Sequence, residues 1–271
     1  MSFKQFARKI VPFHLRLELL RLRRMPMWAI ERSTIANQLA SASDLHLYSF
    51  NLARHTSPLK REVGDYEPRF QLGKERNVAL ASSLLNGLVV QPNQIFSYYH
   101  IVGRPSRLRG FKPGLELHSG KSSHGVGGGC CQIANMLYVL ALNAGMRIVE
   151  RHRHALDLFP DSDRKVPFGC GATIFYNYAD FRFENPLQNP VLLSLKIEDG
   201  VLVGELKMSS DPGFRVEVYE VDHRYFQEGG EWFRENRIRR KFLRANGSLI
   251  LDREEAHNRG RILYDPPKTS C

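Results

Sequence analysis

The sequence predicts an α+β fold in which a cysteine-bearing helix packs on a mostly antiparallel sheet. Three observations carry this expectation. Residues 131–144 place Ile133, Met136, Leu137, Leu140 and Ala144 on one side at helical spacing, and Gly145 follows where a helix C-terminus is capped. Residues 146–158 alternate with period two, as a strand does. The apolar runs Val191–Ile197 and Val201–Lys207 flank Asp199-Gly200, a tight-hairpin dipeptide.

The elements follow in order. Residues 1–65 read as a basic, helical N-terminal region, with a turn at His55-Thr-Ser-Pro58. Within it, residues 13–24 form an arginine-rich amphipathic pattern that suits either a surface helix or contact with an anionic membrane surface. Residues 72–86 read as an amphipathic helix with Leu72, Val78, Leu80, Ala81, Leu84 and Leu85 as its apolar stripe, stopped by Gly87. Ile95–Tyr99 is a short strand. The stretch 102–129, rich in Gly, Pro and Ser, is a long loop with one strand at Leu115–His118. After the cysteine helix come strands at 146–158, 172–178, 180–183, 191–197 and 201–207. A long hairpin turns at Gly229-Gly230, and the tail 257–271 is irregular. The chain thus divides into 1–65, a central domain 66–210, and a C-terminal hairpin extension with its tail, 211–271.

Composition narrows the function classes. The chain has 271 residues, 42% of them hydrophobic, and a net charge of +11. That is enough apolar material for a core, and the basic excess is compatible with nucleic acid, an anionic membrane or acidic substrates. The arginines concentrate at Arg16–Arg24 and Arg234–Arg244, and no nucleic-acid recognition motif accompanies them, which argues against a nucleic-acid partner. The four cysteines, Cys130, Cys131, Cys170 and Cys271, show no disulfide framework and no C-x-x-C. Reduced thiols and the lack of a signal-peptide pattern lead us to expect a cytoplasmic protein, peripheral at the inner membrane face if residues 13–24 touch lipid. No cofactor is implied.

The chemistry centres on Gly127-Gly128-Gly129-Cys130-Cys131-Gln132. A thiol at a helix start meets unpaired backbone N–H groups and the positive end of the helix dipole, which favour the thiolate. In the strand that follows, Met146, Ile148, Glu150, His152, His154, Leu156 and Leu158 share one face, with arginines on the other. Both histidines are therefore expected to face the helix. Cys131 is the candidate nucleophile, His154 or His152 the base, and Gln132 or helix N–H groups the oxyanion donors. Helix cysteine, strand histidine and a later acid is also the order of papain-like and transglutaminase-like enzymes. The same residues admit two other readings: a buried structural thiol with core histidines, and a metal site of His118, His124, Cys130, Cys131, His152 and His154, whose spacing matches no common zinc pattern.

Several motifs in order resemble the VanW family, named from B-type vancomycin resistance clusters. Gly127–Gly129, Cys131 and Gln132 match its glycine–cysteine signature. Leu85-Asn-Gly-Leu88, Pro92, Phe96-Ser97, Gly103, Gly110-Phe111, Ala144-Gly145, Glu150-Arg-His-Arg-His154, Ala172-Thr-Ile174 and Asp180-Phe-Arg-Phe-Glu-Asn185 match further stretches. The resemblance covers roughly 66–210 and selects Cys131 and His154. It leaves Asp180 as the nearest family-matched acid and Asp157 as another candidate, because the Asp that the family often has before the Ala-Thr strand is Gly171 here, and Ala155 replaces a serine. It also implies an association with glycopeptide resistance and the cell envelope, with cell-wall precursor peptides as expected substrates. No established reaction comes with it.

Overall fold

The computed structural model describes residues 34–60, 67–118, 121–153, 156–157 and 166–266, together with 18, 19 and 22. Most of the basic segment 13–24 and His154 lie outside the described residues.

The fold is α+β, as expected. The region before residue 66 contributes strands, contrary to the helical expectation. β1 (Gln38–Leu39) and β2 (Phe50–Pro58) join β3 (Leu88–Val90), β10 (Val191–Glu198) and β11 (Val201–Met208) in one five-stranded antiparallel sheet, ordered β1–β3–β10–β11–β2. β2 pairs along its length with β11, from Pro58 opposite Val201 to Phe50 opposite Met208. A boundary at 66 therefore cuts through a sheet. The β10–β11 hairpin turns as the sequence predicts, with positive φ at both Asp199 (48°) and Gly200 (75°).

Helix α1 (Pro68–Leu85) starts four residues earlier than expected, on a proline at its first turn, where a missing N–H costs nothing. Its buried side holds Val78, Ala81 and Leu85 but also Asn77, while Leu72 stays exposed. β4 (Ile95–Ser97) runs into the short helix α2 (Tyr98–Val102), which Ser97 caps by accepting the His100 N–H.

Half of the expected long loop is a hairpin: β5 (Pro113–His118) pairs with β6 (Lys121–Val126). Helix α3 (Cys131–Asn143) is the centre of the molecule. Ile133, Ala134 and every residue from Met136 to Leu142 are buried, so it is covered on all sides rather than along one stripe. Gly145, at φ 76°, ends it as predicted: its N–H donates to Leu142 and the Met146 N–H to Ala141, which satisfies two terminal carbonyls.

The strand expected over 146–158 is interrupted. β7 (Arg147–Glu150) pairs with β9 (Arg182–Glu184), which also pairs with β4 in a three-stranded sheet ordered β4–β9–β7, and its register slips between Ile148 and Glu150. The alternation holds through β7: Met146 is buried, and Arg147 and Val149 are exposed. Beyond the bulge the expectation that arginines face solvent fails. Arg151 turns inward over the Tyr138 ring, 4.4 Å from its centroid, and donates to the Gly171 carbonyl at 2.8 Å. The strand expected at 172–178 is instead a tight turn flanked by two isolated bridges, Thr173 opposite His152 and Phe175 opposite Ala179, with Asn177 at φ 54°.

The C-terminal region is a meander of three strands. β12 (Phe214–Glu228) and β13 (Glu231–Arg244) form the expected hairpin at Gly229-Gly230, and β14 (Leu249–Ile262) extends into the start of the tail read as irregular. β8 (Leu156–Asp157) lies parallel to β14 at its edge. The arginine run is organised by strand parity. Arg234 and Arg240 point inward and are buried, while Arg237 and Arg239 point outward to Glu254 and Asp252.

Candidate functional site

The site is assembled where three segments meet at the start of α3. The glycine run delivers the chain to the helix by close backbone packing. Gly127 (φ 89°) and Gly129 (φ 97°) sit in the left-handed region that favours glycine. Between them, Gly128 lies flat on β5, where an added Cβ would be 2.1 Å from the Gly114 carbonyl oxygen. Asn77 of α1 fixes the arrangement. Fully buried, it donates to the Lys112 and Gly128 carbonyls at 2.8 and 2.9 Å and accepts the Lys112 N–H at 2.8 Å. Nothing in the helical pattern identified Asn77 as this clamp; its only signal was a polar residue on an apolar stripe. Gly128→Ala is expected to destabilise the fold by about 1–3 kcal/mol, the cost of overpacking where both neighbours are backbone. Denaturant melts of the two proteins check this, and an unchanged midpoint would show that the loop can yield.

The two adjacent thiols differ. Cys130 is buried, points at the Asn77 carbonyl (3.9 Å), and burial pushes its thiol up to about 12. It is an inert core residue at neutral pH. Cys131 is partly buried, with its Sγ 3.9 Å from Thr173 Oγ1 and 3.8 Å from the Ile174 carbonyl oxygen. Burial raises this thiol above its ordinary value; hydrogen bonds from the Ile174 and Thr173 side and its own backbone N–H oppose the rise, and the Glu116 charge adds to it. The expectation of a thiol ionised by the helix start is therefore corrected: desolvation outweighs the helix N–H groups, and the resting group is the thiol.

His152 stands directly opposite Thr173 in an antiparallel bridge, and the Thr173 N–H donates to the His152 carbonyl at 2.8 Å. Directly opposed residues project their side chains from the same face. Cys131, Thr173 and His152 thus follow one another along one surface. The His152 Nε2 lies 2.8 Å from Glu150 Oε1. Glu150, two residues before His152 on the same strand face, was visible from period two but not identified as a partner.

Asp180 is placed elsewhere. It is buried, accepts from Ser97 Oγ at 2.6 Å and from the Tyr99 and Phe181 N–H groups, and its own N–H donates to Glu150 Oε1 at 2.9 Å. It braces the acid beside His152 from behind. The Gln132 side-chain amide donates to Ser57 Oγ (2.9 Å) and the Pro58 carbonyl (2.7 Å), tying α3 to β2. At Gly171, where the family resemblance implies an aspartate, a Cβ would lie 2.9 Å from Asn135 Oδ1, which accepts the Ala172 N–H. Asn135 thus takes the space an acidic side chain would need. Among the described residues no three His, Cys, Asp or Glu side chains gather to hold a metal, and no helix is long and apolar enough to cross a membrane.

Fold and site together define an α+β protein in which a half-buried thiol at the start of a buried helix, Cys131, lies against Thr173, whose bridge partner His152 is paired with Glu150. A family model described as VanW like protein matches residues 73–207. The chain is 25% identical over 201 residues to the vancomycin B-type resistance protein VanW of Enterococcus faecalis, covering 74% of this chain and 73% of that one. It is 32% identical over 149 residues to the uncharacterized protein YoaR of Bacillus subtilis, covering 53% of this chain and 46% of that one. The chain belongs to the VanW family. No solved structure matches it, and the papain-like or transglutaminase-like expectation finds no support.

Proposed function

We propose that this protein transfers or hydrolyses acyl groups of cell-wall peptides through Cys131, in a cell-envelope process tied to glycopeptide resistance. The name of its enterococcal relative supports the association with vancomycin resistance. The row of side chains Cys131, Thr173, His152 and Glu150 supports the chemistry. A thiol raised by burial is a poor thiolate at rest and needs a base at the moment of attack. In this reading His152 receives the thiol proton, directly or through the Thr173 hydroxyl, while Glu150 orients the imidazole. The sulfur bonds to the carbonyl carbon of an amide or ester. The C–N or C–O bond then breaks, and the imidazolium returns its proton to the leaving amine or alcohol. Water or a second amine releases the acyl group and restores the thiol.

Incubation with an activated ester of a short acyl peptide, followed by peptide mapping, tests this reading. One acyl adduct at Cys131, absent in Cys131→Ser, is the expected result; no adduct, or an adduct spread over other cysteines, would sink it.

A non-catalytic peptide-binding module is the second reading. It is favoured by the same raised thiol and by the engagement of the Gln132 amide with β2 rather than with the cleft. It predicts that Cys131→Ser keeps full function in a resistance assay.

A further inference from the structure

The strand pair β7–β9 carries an irregularity two residues before His152 that changes which side chains meet. Arg147 stands opposite Glu184 and Ile148 opposite Phe183, and then the register slips. Val149 is the extra residue, so Glu150 rather than Val149 comes to lie opposite Arg182. A bulge re-aims a side chain in this way, and here it creates a cross-strand pair of carboxylate and guanidinium. Arg182 is buried, and its Nη1 lies 4.0 Å from Glu150 Oε2. The other carboxylate oxygen, Oε1, lies 2.8 Å from His152 Nε2 and accepts the Asp180 N–H at 2.9 Å. The two oxygens of Glu150 thus look in different directions, one toward a buried cation and one toward the imidazole. A carboxylate that faces a guanidinium has only lone pairs to offer, so the ring nitrogen against it carries the hydrogen. In a neutral imidazole the other nitrogen, Nδ1, then holds the basic lone pair.

We propose that Arg182 is a positioning residue for His152. Its buried guanidinium fixes the Glu150 carboxylate, and Glu150 fixes the Nε2–H tautomer of the imidazole. Nδ1 is therefore the nitrogen that takes the Cys131 proton and later returns it to the leaving amine or alcohol. The inference rests on the proposed role of His152 as the base for Cys131. It gives the bulge a purpose: without the extra residue, Val149 would stand opposite Arg182 and the carboxylate would lose its cross-strand hold.

Two readouts separate positioning from reaction. The first is the tautomer of His152, read at pH 8 from long-range proton–nitrogen correlations of the imidazole in labelled protein without any acyl donor. The Nε2–H form is expected in the parent protein, and a mixture of the two tautomers in Arg182→Met. Arg182→Gln, neutral but able to hydrogen-bond, takes its place with the same expectation if the methionine variant does not fold. The second readout is the rate of Cys131 acylation by an activated ester. Arg182→Met and Glu150→Gln are each expected to slow it about tenfold, less than the loss of the base itself. The double variant is expected to be no slower than either single one, because both substitutions break the same chain of contacts. An arginine that only braces the strands would lower stability, leave the tautomer alone and add its loss to that of Glu150→Gln. An Nδ1–H ring in the parent, a tautomer indifferent to Arg182, or additive losses would overturn the inference. A tautomer that responds to Arg182 in a protein whose Cys131 never acylates would leave the hold on Glu150 intact and remove only the proposed reaction. Acylation with an indifferent tautomer would do the reverse.

Discussion

Arg240→Ala is expected to cost about 3 kcal/mol of stability, the low end for a buried ion pair broken on one side. Arg240 is fully buried in β13, and its Nη1 donates to the Leu142 and Met146 carbonyls at 3.1 and 3.0 Å. The Leu142 carbonyl belongs to the last turn of α3, where the helix dipole is negative and a cation is favourable, and the Met146 carbonyl to the chain just beyond it. Its Nη2 lies 2.6 Å from Glu255 Oε1. Alanine would leave a nearly buried carboxylate with Arg253 as its remaining cationic partner, which is why the low end applies. The C-terminal meander thus grips one end of the helix whose other end presents Cys131. Equilibrium unfolding in denaturant gives the number. A loss below about 1 kcal/mol, the value of an exposed pair, would mean that the meander does not hold the helix.

The second large effect is at Asp180 and depends on pH. Burial pushes its carboxyl from 3.8 up to about 6, although Ser97 and two backbone N–H groups hold the ionised form. The folded chain therefore keeps the proton at pH values where the unfolded chain has lost it. Stability contributed by this group is complete below pH 3.8 and declines as the pH rises to about 6. The full penalty is on the order of 3 kcal/mol. Asparagine fits the same contacts: its oxygen can accept from Tyr99 and Phe181, and its amide can face Ser97. Asp180→Asn is expected to gain roughly 2 kcal/mol at pH 8 and nothing at pH 4, once the altered Ser97 hydrogen bond is deducted. Asp180→Ala strands two N–H groups and a hydroxyl and is expected to lose about 2–4 kcal/mol at pH 4. Thermal melts at both pH values decide. An Asp180→Asn gain that is equal at pH 4 and pH 8 would contradict the titration.

How much of this was legible in the sequence varies with the kind of signal. Local rules worked where the answer is local. Gly145 ended α3, and Asp199-Gly200 and Gly229-Gly230 turned their hairpins, because positive φ has few residue solutions. Period two placed Met146, Arg147 and Val149 correctly. It failed at the bulge after Ile148, since a register slip is set by the partner strand β9. β2 was missed because its residues, Phe50–Pro58, alternate weakly and gain their strand from β11 rather than from their own pattern. At the site, the glycine run and Cys131 stood out by composition. Thr173 and Asn77 did not, because each acts through a contact distant in sequence. The direction of the Cys131 shift was also illegible: a helix start is local, but burial belongs to the whole core.

The measurement that bears most directly on the central claim is the rate of Cys131 acylation by an activated ester, compared between the parent protein and His152→Ala across pH. A fall of about 10²-fold is expected at pH 7, typical of a lost general base. The gap should narrow above pH 9, as the raised thiol begins to ionise without help. Equal rates at pH 7 would show that His152 takes no proton from Cys131, and the proposed site would lose its base.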